Sequence, residues 1–145
     1  MKAFKWVYIN VILINDFHNL NIDREIFMTA PQVSLMELGK FKLRQHEFHH
    51  AENAFLEEVN QHPKNHQAWY YIGYCRKRLY KMEEALDPFK NAVDINDSVP
   101  DYLYDLSSTY LALGFTKESR KVAIKLKKMD QNRFSQDQIE KLLSK

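Results

Sequence analysis

Apolar and polar residues follow a helical spacing along most of the chain, and the pattern recurs every thirty-four residues. In the middle of the chain, Trp69, Ile72 and Leu79 are spaced to share one face of a helix. After a short polar turn, Ala85 and Phe89 are spaced to share one face of a second helix. The spacing therefore predicts repeated pairs of helices and an all-α fold.

Small and large side chains occupy equivalent positions in successive units. Shifting the sequence twice by thirty-four residues aligns Leu35, Trp69 and Leu103; Leu38, Ile72 and Leu106; Gly39, Gly73 and Ser107; Ala51, Ala85 and Ser119; and Phe55, Phe89 and Ala123. The small residues allow the two helix backbones of a unit to approach closely, and the large ones fill the space beside a neighbouring unit. Because one such hairpin cannot bury its apolar face alone, the units are expected to stack.

The middle unit reads Trp69-x-x-Ile72-Gly73 and then Ala85-x-x-x-Phe89, which resembles the tetratricopeptide repeat (TPR). The resemblance implies an α-solenoid of helix-turn-helix hairpins that forms a right-handed superhelix. Its repeats would span residues 32–65, 66–99 and 100–133. The capping-box spacing of Ser135 and Gln138 predicts a last helix within 134–145, which would cover the apolar face of the third repeat.

Four residues depart from the TPR pattern. Lys42 and Arg76 stand where the family usually has a large apolar residue, and Glu58 stands where it usually has alanine. Since a lone buried charge is costly, either Glu58 pairs with Arg76 or Lys42, or all three side chains reach solvent at the rim. Pro88 falls inside the second helix of the middle unit and removes a hydrogen bond to the Glu84 carbonyl, so we expect a kink or a late helix start.

The resemblance also implies that the first helices of the repeats line a concave groove that holds a peptide. Three tyrosines of the middle unit lie three or four positions apart and would form one patch, although some of their rings could instead pack against a neighbouring unit. The candidate peptide-binding residues are Lys40, Arg44, Gln67, Tyr70, Tyr71, Tyr74, Lys77, Arg78, Asp101, Tyr104, Asp105 and Ser108, with Met36, Glu37, Leu43, Leu111 and Ala112 beside them.

The charges of this predicted groove are basic in its first two units and acidic in the third. A protein or peptide ligand with charges of both signs around an apolar or aromatic anchor would complement it. Related TPR domains that clamp the terminal EEVD carboxylates of heat-shock chaperones use Lys, Asn and Arg at five positions. Here those positions hold Met36, Lys40, Tyr71, Asp101 and Asp105. Only the lysine fits, so an EEVD ligand is not expected.

Composition and motifs favour binding over catalysis. A net charge of +2 over 145 residues gives no strong attraction to nucleic acid, and the single Cys75 suits a reducing, cytoplasmic setting. The sequence contains no nucleophile elbow, phosphate loop or paired acid–base motif, so neither an enzyme nor a cofactor is predicted. Histidines at 46–50 and 62–66 are interpreted as turn residues rather than metal ligands.

The last repeat carries a cluster of basic residues. We interpret them as a solvated convex face, with contact to nucleic acid or anionic lipid as the alternative. The cluster consists of Lys117, Arg120, Lys121, Lys125, Lys127 and Lys128.

Residues 1–31 are apolar over 6–14, a stretch shorter than the roughly 20 residues that span a bilayer. Three interpretations remain: a cap or self-ligand of the groove, a weak membrane anchor, or sequence upstream of a true start at Met28. The predicted function is a protein–protein interaction adaptor or chaperone-like module. The alternative is a structural scaffold that self-assembles by repeat stacking or by exchange of the N-terminal segment.

Overall fold

The structure, a computed structural model, describes residues 33–129 and 134–144. The helices within these residues are α1 (Leu35–Arg44), α2 (Phe48–Gln61), α3 (His66–Arg78), α4 (Met82–Ile95), α5 (Pro100–Ala112), α6 (Thr116–Lys127) and α7 (Gln136–Leu143). No strand occurs in the described ranges, and no helix there is long and apolar enough to cross a membrane. The predictions for residues 1–31 lie outside the described residues.

Each helix packs mainly against its neighbours in the chain, so the fold is a stack of hairpins. The hairpins are α1–α2, α3–α4 and α5–α6, and α7 packs on α6 with a smaller contact to α5. The predicted all-α solenoid is confirmed. Its core runs along the stack as successive clusters of buried residues.

In each of the first two hairpins, a glycine allows the two helices of that hairpin to pack closely. A Cβ atom at Gly39 would lie 2.5 Å from Cε1 of Phe55, and one at Gly73 would lie 2.7 Å from Cδ1 of Phe89. Both phenylalanines are fully buried. The aligned glycine and phenylalanine positions therefore belong to one contact, in which the ring occupies the volume of a missing side chain.

The third hairpin makes this contact with different residues. Ala123 replaces the phenylalanine, and the space it leaves accommodates a side chain at Ser107. Ser107 Oγ donates to the Ser119 carbonyl at 2.9 Å, and Ser119 Oγ donates to the Ser107 carbonyl at 2.9 Å. Because both hydroxyls are satisfied, the two buried serines carry no unpaired polar group.

The predicted capping helix is confirmed. Ser135 Oγ accepts a hydrogen bond from the Gln138 backbone N–H, and the Gln138 side chain accepts one from the Ser135 N–H. Ile139 and Leu142 are buried in one cluster with Leu103 and residues of α6. The last helix thus covers the apolar face that the third hairpin would otherwise expose.

Arg76 connects three helices. Its Nε donates to Oε1 of Glu52 in α2 at 2.6 Å, and its Nη1 donates to the Glu84 carbonyl in α4 at 3.0 Å. That carbonyl is the one that Pro88, which lacks an N–H, cannot bond. Helix α4 begins at Met82 and continues through Pro88, so the expected late start is wrong.

The expected pairing of Glu58 with Arg76 or Lys42 is also wrong. Glu58 instead accepts a hydrogen bond from Asn65 Nδ2 at 2.9 Å, near the turn between α2 and α3. Lys42 donates to Glu47 at 2.8 Å and lowers the pKa of that carboxyl through this hydrogen bond. Each of the three charged departures therefore has its own partner in the hairpin fold.

The turns between the helices of each hairpin place one residue in the left-handed region. These residues are His46 with φ 60°, Tyr80 with φ 61° and Gly114 with φ 82°, each thirty-four positions from the next. Only the third hairpin has glycine, which adopts this conformation without a steric cost.

Tyr80→Gly is expected to raise the free energy of unfolding by about 0.5–1 kcal/mol, measured by urea denaturation. Tyr80 is 89% exposed, so losing its ring removes little packing, while glycine relieves the left-handed strain. Gly114→Ala is the matched control and should destabilise, since nothing lies within 4 Å of the added methyl and only its φ opposes the change. A loss of stability in Tyr80→Gly would contradict this account of the turns.

Candidate functional site

The last turn of α1, the turn that follows it, the start of α2 and residues 70–78 of α3 border a cleft of about 310 Å³. We call it the aromatic cleft. Four aromatic rings and a leucine form most of its wall, and a histidine and two arginines complete it. Its lining residues are Leu43, Arg44, His46 and Phe48 from the first hairpin, with Tyr70, Tyr71, Tyr74 and Arg78 from α3.

Two of the three tyrosines, Tyr70 and Tyr71, hold the wall of the aromatic cleft in place by packing across hairpins. The Tyr71 ring stacks on Phe55 of α2, with centroids 4.9 Å apart and planes at 18°. The Tyr70 ring stacks on Tyr102 of α5, with centroids 4.6 Å apart and planes at 26°. Tyr74 lies 6.4 Å from Tyr70 on the same helix. Tyr70 and Tyr71 thus both line the cleft and pack against neighbouring hairpins, which combines the two expectations for them.

Two arginines lie over aromatic rings beside the cleft. The Arg44 guanidinium lies 5.9 Å from the centroid of Phe41, and that of Arg78 lies 5.2 Å from the centroid of Phe48. Sequence reasoning missed Phe48. The available signal was its position as the first residue of α2, directly after the turn that follows α1.

A hydrogen-bonded network occupies the predicted acidic part of the groove. Asp105 accepts from Tyr70 Oη at 2.9 Å and from Lys77 Nζ at 2.8 Å, and Lys77 also donates to Ser108 Oγ at 3.0 Å. Burial and the nearby Asp105 carboxylate raise the pKa of Tyr70, which keeps its hydroxyl protonated as a donor. Lys77 and Asp105 therefore neutralise each other, while Asp101 lies in the first turn of α5.

Three other predicted residues lie outside the aromatic cleft. Lys40 pairs with Glu37 on its own helix at 3.2 Å, and Gln67 is exposed in the first turn of α3. The Tyr104 ring stacks on Phe134, with centroids 4.5 Å apart and planes at 9°. Tyr104 thus contributes to the packing around α7, which the groove prediction did not anticipate.

Tyr102 is a buried residue that sequence reasoning missed. Its hydroxyl lies 2.9 Å from His66 Nδ1, and the other ring nitrogen of His66 lies 3.4 Å from Asn96 Nδ2. Burial raises the pKa of Tyr102 to about 12. The available signal was a large ring at the repeat position that holds Ala68 in the preceding unit. Tyr102 thus links the second and third hairpins through its contact with His66 and through its stacking on the Tyr70 ring.

The basic residues of the last repeat are all exposed. Lys125 forms an ion pair with Asp97, so part of this charge is matched by an acidic residue at the surface. The arrangement agrees with a solvated face. Beside it, α4, α5 and α6 enclose a second cleft of about 400 Å³, with apolar walls from Val93 and Tyr110 and charges of both signs at its edge.

Within the described ranges, no three side chains of His, Cys, Asp or Glu converge as metal ligands. Cys75 is fully buried, and burial raises the pKa of its thiol to about 12, so it is held in the neutral form. The geometry of the described residues therefore offers a preformed surface for contact with another molecule.

No protein-family model and no curated protein sequence matches the chain. Solved structures do match it. The first TPR of Spaghetti (RPAP3), bound to the HSP90 peptide SRMEEVD, has a TM-score of 0.68 at 20% identity over 76% of this chain and 85% of that one. The Yersinia enterocolitica type III secretion chaperone SycD, in complex with a peptide of the translocator YopD, has a TM-score of 0.68 at 12% identity over 76% and 87%.

The TPR2B domain of yeast Sti1, in its pHsp70 complex, also has a TM-score of 0.68, at 14% identity over 76% of this chain and 90% of that one. Identities this low establish the fold alone. The chain has the TPR fold, as its sequence pattern predicted.

Proposed function

We propose that this TPR domain is a protein–protein interaction module that binds a peptide segment of a partner on its concave face, with the aromatic cleft at the centre. The observation that carries the proposal is the preformed wall of aromatic rings. Because Tyr70 and Tyr71 are already held by neighbouring hairpins, little side-chain entropy is lost when a ligand covers them. Tyrosines with an apolar ring and a polar tip are frequent at binding hot spots.

The likeness to peptide-bound structures supports the same function. RPAP3 is seen with an HSP90 peptide and SycD with a translocator peptide. The peptide in this protein is proposed to be of another kind than EEVD. The clamp-equivalent Lys40 is paired with Glu37, and clamp-equivalent positions on α5 hold Asp101 and Asp105. We place this binding role in the cytoplasm, as a single free cysteine, Cys75, suits a reducing compartment.

Tyr74→Ala is expected to reduce recovery of the partner from native lysate at least tenfold, since hot-spot aromatic residues contribute about 2 kcal/mol or more to binding. Tyr74 is preferred over Tyr70 and Tyr71, whose rings also hold the hairpins together. The measurement is quantitative mass spectrometry of proteins retained by the full chain. Ile124→Ala, an exposed change on α6, is the matched control and should leave recovery unchanged.

Equal recovery with Tyr74→Ala and with the unaltered chain would contradict binding at the aromatic cleft. Light scattering over a range of concentrations tests the self-assembling scaffold. A mass that rises with concentration, together with no partner that depends on Tyr74, would favour the scaffold over the adaptor.

A further inference from the structure

We propose that the aromatic cleft recognises an acidic side chain next to an aromatic one in the partner peptide, with Arg44 and Arg78 binding the carboxylate. The proposal rests on the proposed function and specifies the ligand of the same site. It revises the expectation of a ligand with charges of both signs. Lys77 and Asp105 pair with each other and Lys40 pairs with Glu37, whereas Arg44 and Arg78 line the cleft.

The positive charge at the cleft is not neutralised by the part of the protein that the structure describes. Arg44 and Arg78 both line the cleft, and within the described residues neither forms an ion pair. The nearby acidic groups are already engaged: Glu47 by Lys42, and Asp105 by Lys77 and Tyr70. A carboxylate that enters the cleft therefore meets two guanidinium groups that are paired with no carboxylate among the described residues.

The two arginines occupy equivalent positions in consecutive hairpins, in the last turns of α1 and α3. A cation in the last turn stabilises a helix, and lysine would serve that purpose as well as arginine. Arginine adds a planar set of donors that matches a carboxylate and stacks on aromatic rings. The equivalent position in the third hairpin is Ala112, so the paired charge is confined to the first two hairpins and to the aromatic cleft.

The remaining walls of the cleft favour an apolar group beside the anion. Phe48, Tyr71 and Tyr74 present ring surface, and a volume of about 310 Å³ is at the small end of the range for ligand sites. The space suits one aromatic side chain of an extended peptide. A carboxylate one residue away along that peptide would then lie near the arginines at the edge.

The test titrates the full chain with three blocked peptides and follows backbone amide shifts by NMR. The first is acetyl-Gly-Ser-Asp-Phe-Asp-Ser-Gly-amide; the second has Asn for both Asp residues, and the third has Ser for Phe. The first is expected to bind at least tenfold more tightly than either control peptide. Arg44→Gln and Arg78→Gln should each weaken the first peptide at least fivefold and leave the Asn peptide unchanged.

Lys117→Gln is the matched control, because it removes the same charge from an exposed position on α6 and should leave all three affinities unchanged. Equal binding of the Asp and Asn peptides, or unchanged binding in both arginine variants, would overturn the proposal. A requirement for a free C-terminal carboxylate, tested with the unamidated peptide, would also overturn it in favour of a terminal clamp.

The two proposals can fail separately. If recovery of the partner depends on Tyr74 but not on Arg44 or Arg78, the peptide-binding function stands and the acidic specificity is wrong. If recovery of the partner does not depend on Tyr74, partner binding at the aromatic cleft fails, whatever the peptides show.

Discussion

Phe89→Ala is expected to lower the free energy of unfolding by about 3–5 kcal/mol, and a methyl group at Gly73 should be tolerated only in that background. Phe89 is fully buried, and a Cβ atom at residue 73 would lie only 2.7–2.9 Å from three atoms of its ring. Removing the ring leaves a cavity between α3 and α4. Urea denaturation followed by far-UV circular dichroism measures the loss.

The coupling between the two positions is the sharper measurement. In the unaltered chain, Gly73→Ala should destabilise by about 1–2 kcal/mol, because overpacking against the ring outweighs the better helix propensity of alanine. In the Phe89→Ala background, the same change should stabilise by about 1 kcal/mol, because the methyl enters free space and the helix gains. The double-mutant cycle should therefore give a coupling of about 2–3 kcal/mol.

The third hairpin provides a natural reference for this result. Ser107 and Ala123 occupy the equivalent positions there, so the third hairpin has a side chain at the glycine position and alanine at the phenylalanine position. Ala112→Gly, at an exposed position of α5, is the matched control for helix propensity alone and should show no coupling to Phe89. A coupling free energy of zero would mean that α3 and α4 move apart to accommodate the methyl group. The Phe89 ring would then not require a small residue at position 73.

The close approach of α3 and α4 at Gly73 was predicted from the small residues that recur in each repeat, but the Phe89 ring that packs against Gly73 within the same hairpin was expected beside a neighbouring unit. The periodicity shows that a glycine in the first helix and a phenylalanine in the second recur together, and the structure shows that they touch. The hairpins were predictable for the same reason, and the capping helix from its capping-box spacing. A feature that recurs in successive repeats, such as a helix pair or a small residue where two helices meet, can therefore be predicted from the repeat pattern.

Contacts that occur only once in the chain, and do not recur from repeat to repeat, were not predictable in this way. Glu52 rather than Glu58 meets Arg76, since the crossing of α2 and α3 decides which turn of α2 lies opposite the guanidinium. Lys77 of α3 forms an ion pair with Asp105 of α5 in the adjacent hairpin, so these two charges neutralise each other in the expected groove. The stacking of Tyr104 on the ring before α7 depends on where the last helix docks, and no spacing in the sequence reports that.

The aromatic cleft combines features that follow from the repeat with contacts that do not. Arg44, Tyr74 and Arg78, which the family resemblance assigned to one groove, line the same cleft. Phe48 joins them only because the turn after α1 returns the chain to the edge of the groove. A left-handed residue, His46, makes that return and lines the cleft itself. Helix periodicity thus brings the tyrosines of α3 to the cleft, and turn geometry adds Phe48 beside Arg78.

Arg76→Met is expected to lower the free energy of unfolding by about 2–3 kcal/mol. The change leaves the Glu52 carboxylate, whose side chain is 11% exposed, without its partner, and it removes the donor to the Glu84 carbonyl. Because the Arg76 side chain is 22% exposed, we expect a smaller loss of stability than removal of a fully buried ion-pair partner would cause. Chemical denaturation of the full chain measures it.

The repeat offers a matched control for this change, because Lys42 occupies the equivalent position in the first hairpin. Lys42→Met should cause a clearly smaller loss, since its partner Glu47 is more exposed than Glu52 and can be solvated by water. Arg76→Met combined with Glu52→Leu should recover part of the stability, because the pair is then replaced by apolar contact. If the double variant is no more stable than Arg76→Met alone, the stranded carboxylate is not the cause of the loss. The bond from Arg76 to the Glu84 carbonyl, which joins α3 to α4 within the second hairpin, would then account for the loss of stability.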